Sequence, residues 1–66
     1  MDVKVIGEKL RNLRKKQTAA EVAREVKIST SSLLMYERGE RIPRDEIKER
    51  LAAYYGVTVA SIFFSD

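Results

Sequence analysis

Residues 30–38 read TSSLLMYER and bring three kinds of side chain together. Thr30 and Ser31 carry hydroxyls, which both donate and accept hydrogen bonds. Leu33 and Tyr36, three apart, share one face of any helix formed here, and Leu34 and Met35 lie off that face. A helix apolar all round would have to be buried on every side. One apolar pair therefore serves as an anchor, and the other, beside the hydroxyls, is left for an outside surface. This is the chemistry of recognition by contact.

Chemistry that makes or breaks bonds is not in view. The 66 residues include no Cys and no His. There are no paired acids in a recognisable cleft and no Gly-rich phosphate loop. The expectation is a protein that is not an enzyme and needs no metal and no cofactor.

Polar and cationic residues flank the segment: Lys15, Lys16, Gln17 and Thr18 before it, Arg38, Arg41 and Arg44 within and after it. The net charge is +3, but its distribution is uneven. Residues 1–44 hold 11 basic and 6 acidic residues, and residues 45–66 hold 2 and 4. A basic front and a mildly acidic back suit a polyanion on one face, although an ordinary solvated surface is the competing explanation for each single charge.

The elements that must position these groups are short helices. Val3, Ile6, Leu10 and Leu13 repeat at helical spacing, so a first helix is expected over residues 4–16. Thr18 and Glu21 form a capping box, T-A-A-E, ahead of a second helix over residues 19–26. Ile28 is a buried plug in the turn that follows. Ser29 caps a third helix over residues 30–38, and Gly39 stops it. After the loop RIPR, a fourth helix covers residues 44–55, with Ile47, Leu51 and Tyr54 facing inward, and Gly56 ends it. Thr58 caps a last helix over residues 59–64. The fold class is all-α, with five helices in a single domain over residues 1–66.

Residues 18–39 thus have the form of a helix-turn-helix motif. Such a motif needs a small residue where its helices cross, supplied by Ala23. It needs a second helix anchored through one face, supplied by Leu33 and Tyr36 with Ile28. It needs an outward face near the start of that helix, where side chains reach base edges in a DNA major groove: Thr30, Ser31, Leu34 and Met35. No Arg, Asn or Gln stands at Thr30, Ser31 or Met35, so bidentate contacts to guanine or adenine are not available there. Specificity is expected to rest on thymine methyl groups, hydroxyls, water and DNA shape. Lys15, Lys16, Gln17, Thr18, Arg38, Arg41 and Arg44 are the expected contacts to the DNA backbone.

The segments IGEKLRNLRKK, TAAEVAREVKISTSSLLMYERGERIPRDEI and LAAYYGVTVASIFF resemble the first helix, the DNA-binding core and the closing helices of the XRE family, the helix-turn-helix domain of lambdoid phage repressors and Cro-like regulators. The resemblance spans about residues 5–64. It implies the five-helix lambda-repressor-like fold, operator double-stranded DNA as ligand and a homodimer on a palindromic site. It also implies base contacts at Thr30, Ser31 and Met35, and an ion pair between Arg14 and Glu37 that ties the first helix to the end of the third. An Arg can engage a carboxylate in this bidentate way and fix an angle between helices. Three positions depart from the family pattern. Lys27 stands where a turn Gly is usual; either its backbone is left-handed, at a cost of about 1 kcal/mol, or the turn takes another geometry. Ala19 replaces a phosphate-binding Gln. The link between the first two helices is about two residues short.

Tyr54, Tyr55, Phe63 and Phe64 make the C-terminal part aromatic. A chain of this size can hardly bury all four. Tyr54 and one Phe are expected in the core, and the dimer interface is assigned to Tyr55, Phe63 and Phe64. The start of the chain lacks the pattern of a signal peptide, and residues 57–64 are too short an apolar stretch to span a membrane, so the expected location is cytoplasmic with no membrane partner. The leading expectation is a transcriptional regulator that acts as a repressor. The alternative is a protein-interaction module on the same fold, of antirepressor or antitoxin type, with a regulatory protein as partner.

Overall fold

A computed structural model describes residues 2–64. They form α1 (Val3–Arg14), α2 (Ala19–Val26), α3 (Thr30–Glu37), α4 (Asp45–Tyr55) and α5 (Val59–Phe63), with no strand among the described residues. None of these helices is long and apolar enough to cross a membrane.

Local hydrogen bonds explain where four of the five helices begin; α4 starts at Arg44 without a side-chain cap. Asp2 Oδ1 accepts from the Lys4 amide at 2.9 Å, Thr18 Oγ1 from Glu21 at 3.1 Å, Ser29 Oγ from Ser32 at 3.0 Å and Thr58 Oγ1 from Ser61 at 3.1 Å. Each satisfies an amide that the helix itself leaves without a partner. The ends of α2, α3 and α4 share one pattern. The amides of Lys27, Gly39 and Gly56 return to the carbonyls three residues back, and the next amides return five residues back. This closure requires a left-handed residue. Glycine fills the role at Gly39 (φ 75°) and Gly56 (φ 71°), whereas Lys27 fills it at φ 65°.

The helices enclose one apolar cluster. Leu10, Val22, Ala23, Leu33 and Leu51 are fully buried, and Ile6, Val26, Tyr36, Ala52, Ile62 and Phe63 complete it. α3 is gripped by α1 and α2, α4 packs on α2 and α5, and α5 returns to α1. Gly7 sets the α1–α3 distance: a Cβ there would lie 2.3 Å from the Glu37 carbonyl oxygen.

Two sequence expectations change. The first helix ends at Arg14, two residues early. Lys15 has φ 53° and ψ −121°, and the Gln17 amide donates to the Arg14 carbonyl at 3.1 Å. This is a tight turn of the II′ kind, which a short link requires in order to reverse the chain before α2. The aromatic assignment also shifts. The inward stripe of α4 is Lys48, Leu51, Ala52 and Tyr55, with Ile47 beside it. Tyr54, expected inside, is 37% exposed, while Tyr55 packs against the core. Phe63, assigned to a dimer interface, is 1% exposed because α5 drives it between α4 and α1, and only Phe64, at 60%, lies open. Phe63 is thus committed to its own chain, whereas Tyr55 stays partly exposed.

Candidate nucleic-acid interface

The turn between α2 and α3 fixes how α3 is presented. Ala23, fully buried, lets the two helices cross closely, and Ile28 packs against the core. The left-handed Lys27 redirects the chain between them. Arg50 of α4 reaches this turn from outside: its guanidinium lies 3.5 and 3.4 Å from the Val26 and Lys27 carbonyl oxygens. Glu46 holds the same guanidinium at 2.8 Å. A cation at the carbonyl end of α2 also complements the helix dipole.

α3 then divides as its residue types require. Leu33 and Tyr36 enter the core. Thr30 and Ser31 are exposed, and Leu34 and Met35 are half-buried, outside the core cluster and outside the set of side chains packed against it. Ser29 and Ser32 turn to a different use. Their hydroxyls bond to each other at 2.8 Å, and Ser29 also caps the helix.

Lys15, Lys16, Arg38, Arg41 and Arg44, the cations of the motif and its flanks, are all exposed. Among the described residues, only Arg38 of these five has an acidic partner, Glu40 at 3.9 Å with both side chains mostly in solvent. Such a pair contributes little, so Arg38 stays open to another partner. Arg41 and Arg44 border a cleft of about 310 Å³ together with Ser29, Ser32 and Tyr36, and Glu46, which pairs with Arg50, lines it as well. Thr18 sits at the exposed start of α2, where its own amide donates to Glu21 Oε1 at 3.1 Å and the box closes. The bonds from the Thr18 backbone and hydroxyl hold the Glu21 carboxyl below its ordinary range. Gln17, expected as a backbone contact, is engaged by its own chain. Its Oε1 accepts from the Tyr54 hydroxyl and its Nε2 approaches the Arg14 carbonyl at 3.5 Å.

Behind the interface, Arg14 locks α1 to the end of α3. Its Nε and Nη2 donate to the two Glu37 carboxylate oxygens at 2.8 and 2.9 Å. Its Nη1 donates to the Gln17 carbonyl at 2.9 Å, so the same side chain also ties down the Lys15 turn. The Glu37 bond raises the Arg14 pKa and keeps the guanidinium charged. Among the described residues, no group of His, Cys, Asp and Glu could hold a metal ion.

Sequence reasoning missed Arg50 and the contact between Tyr54 and Gln17. The Glu46–Arg50 spacing was a signal for an ion pair on α4, but nothing local pointed across 23 residues to the turn.

The chain matches the family described as helix-turn-helix domain over residues 5–62. No curated protein and no solved structure matches it.

Proposed function

The chain belongs to the helix-turn-helix domain family, of the XRE/Cro-like type, which implies DNA binding, and on that premise we propose that it is a sequence-specific transcriptional regulator. In this reading it acts as a repressor. It binds a palindromic operator as a homodimer, with α3 of each protomer in the major groove. Thr30, Ser31, Leu34 and Met35 face base edges, and Lys15, Lys16, Thr18, Arg38, Arg41 and Arg44 engage phosphates. It is a cytoplasmic binder, not a catalyst.

The reading is supported by one juxtaposition: Arg41 and Arg44, exposed and without an ion-pair partner among the described residues, line a cleft with Ser29, Ser32 and Tyr36 at α3, although Glu46 lines it too. Phosphate contacts set position and groove contacts set sequence. A protomer that seats Lys15, Lys16, Arg41 and Arg44 on phosphates releases counterions, giving a log K against log salt slope of about −3.6 per protomer. The N-termini of α2 and α3 add amide groups that favour phosphate oxygens.

The half-exposed Leu34 and Met35 also suit a protein partner, which is the second reading. Selection of bound sites from random duplexes, followed by a salt titration on the best of them, separates the two. A DNA regulator enriches a pair of half-sites and shows the steep slope. Flat salt dependence and no enriched sequence would leave the interaction module.

A further inference from the structure

The outward face of α3 is unusual in what it lacks. From Thr30 to Met35 the exposed side chains are two hydroxyls, and the half-buried ones are Ser32, whose hydroxyl bonds to Ser29, one isobutyl group and one thioether; no amide or open charge appears until Arg38. A hydroxyl can serve as donor or acceptor, so it accommodates more than one base edge. Bidentate readers of guanine and adenine, and carboxylate readers of cytosine, are missing from residues 30–35. The one apolar feature on the major-groove edge of the bases is the pyrimidine C5-methyl group. Leu34 and Met35 pack on nothing in the core of their own chain. Arg38, exposed and one helical turn on from Leu34, and Arg41 and Arg44, in a cleft with Ser29 and Ser32, suit a polyanion beside α3, which selects the DNA groove as occupant over an apolar protein surface.

Resting on the DNA-binding reading above, we infer that Leu34 and Met35 form a methyl-sensing pair that reads C5-methyl groups of pyrimidines rather than their hydrogen-bonding edges. Thymine and 5-methylcytosine then count as equivalent for this pair, and deoxyuridine and unmodified cytosine count as equally poor. Thr30 and Ser31 tolerate the exchange of a thymine O4 acceptor for a cytosine N4 donor. The site is thereby sensitive to cytosine C5-methylation of its DNA.

The test uses the whole chain and three random duplex pools: one with thymidine, one with deoxyuridine in its place, and one with deoxyuridine plus 5-methylcytosine for cytosine. The thymidine pool should enrich thymine at the α3-facing positions. The deoxyuridine pool should lose that enrichment, with affinity falling roughly fourfold per methyl removed, the value for burying one such group. In the third pool the enrichment should move to 5-methylcytosine. Met35→Ser should shrink the thymidine-to-deoxyuridine difference and leave the salt slope unchanged; the parent protein carries the test even if that variant folds poorly. Equal affinity and the same enriched positions in the thymidine and deoxyuridine pools would overturn this inference alone, provided binding remains salt-dependent. Absence of salt-dependent binding to any pool would overturn the DNA-binding reading and this one with it.

Discussion

Arg14 and Glu37 join the last turn of α1 to the last residue of α3 through two parallel hydrogen bonds, and the Glu37 side chain is only 4% exposed. The pair sits behind the uncovered face of α3 and fixes the tilt at which that face is offered. Removing one partner strands a charge in a nearly closed site. Arg14→Ala should therefore cost about 3 kcal/mol and lower the melting temperature by many degrees. An unchanged melting temperature would show the pair to be incidental.

Gly7→Ala tests the same junction by sterics. The added Cβ would meet the backbone carbonyl of Glu37, which cannot swing aside as a side chain could. Separation of α1 from α3 should cost at least about 2 kcal/mol. Urea denaturation will show a lower midpoint, and an unshifted midpoint would contradict the packing described.

Lys27 occupies a left-handed backbone position that glycine fills at the ends of α3 and α4. Lys27→Gly should stabilise by about 1 kcal/mol, because the strain of a Cβ at positive φ is removed. Lys15→Gly should act in the same direction at the α1–α2 turn. Either change leaving the denaturation midpoint in place, or lowering it, would mean the side chain offsets the strain by contacts of its own.

The Tyr55 hydroxyl is buried without a hydrogen-bond partner among the described residues. Burial, followed by the nearby Glu37 carboxylate, pushes its pKa up to about 12 from an ordinary 10.0. A raised pKa means the folded state prefers the protonated phenol. Its contribution to stability is complete below pH 10 and is lost as pH rises through about 12. Tyr55→Phe should be neutral or stabilising by about 1 kcal/mol at pH 7 and should flatten the alkaline decline. Melting temperatures measured from pH 8 to pH 12 will decide this, and an unaltered alkaline profile would assign the decline to other groups.

Phe64 stands 60% exposed while its neighbour Phe63 is buried, with the Lys48 ammonium 5.0 Å from the Phe64 ring centre. As the open aromatic at this end of the fold, it is the side chain through which the proposed dimer would form. Phe64→Ser should weaken self-association in sedimentation with little loss of fold, whereas Phe63→Ser should unfold the chain. Identical sedimentation of Phe64→Ser and parent would remove Phe64 from the interface.

Much of this molecule was legible in the order of its residues. Thr18 with Glu21, Ser29, Thr58, Gly39 and Gly56 mark helix boundaries through hydrogen bonds that span at most five positions, so neighbours along the chain decide them. The split of α3 into Leu33 and Tyr36 inward against Leu34 and Met35 outward follows from helical periodicity alone. Tertiary packing decided the rest. Whether Tyr54 or Tyr55 turns inward, and whether Phe63 or Phe64 does, depends on where α1 and α5 close over α4, because adjacent aromatics have equal claims on a core until another helix arrives. The early end of α1 depends on Arg14 reaching Glu37 and Gln17 together, and the hold of Arg50 on the turn depends on α4 docking beside α2. Those contacts join residues far apart in sequence, and only the assembled fold determines which of them form.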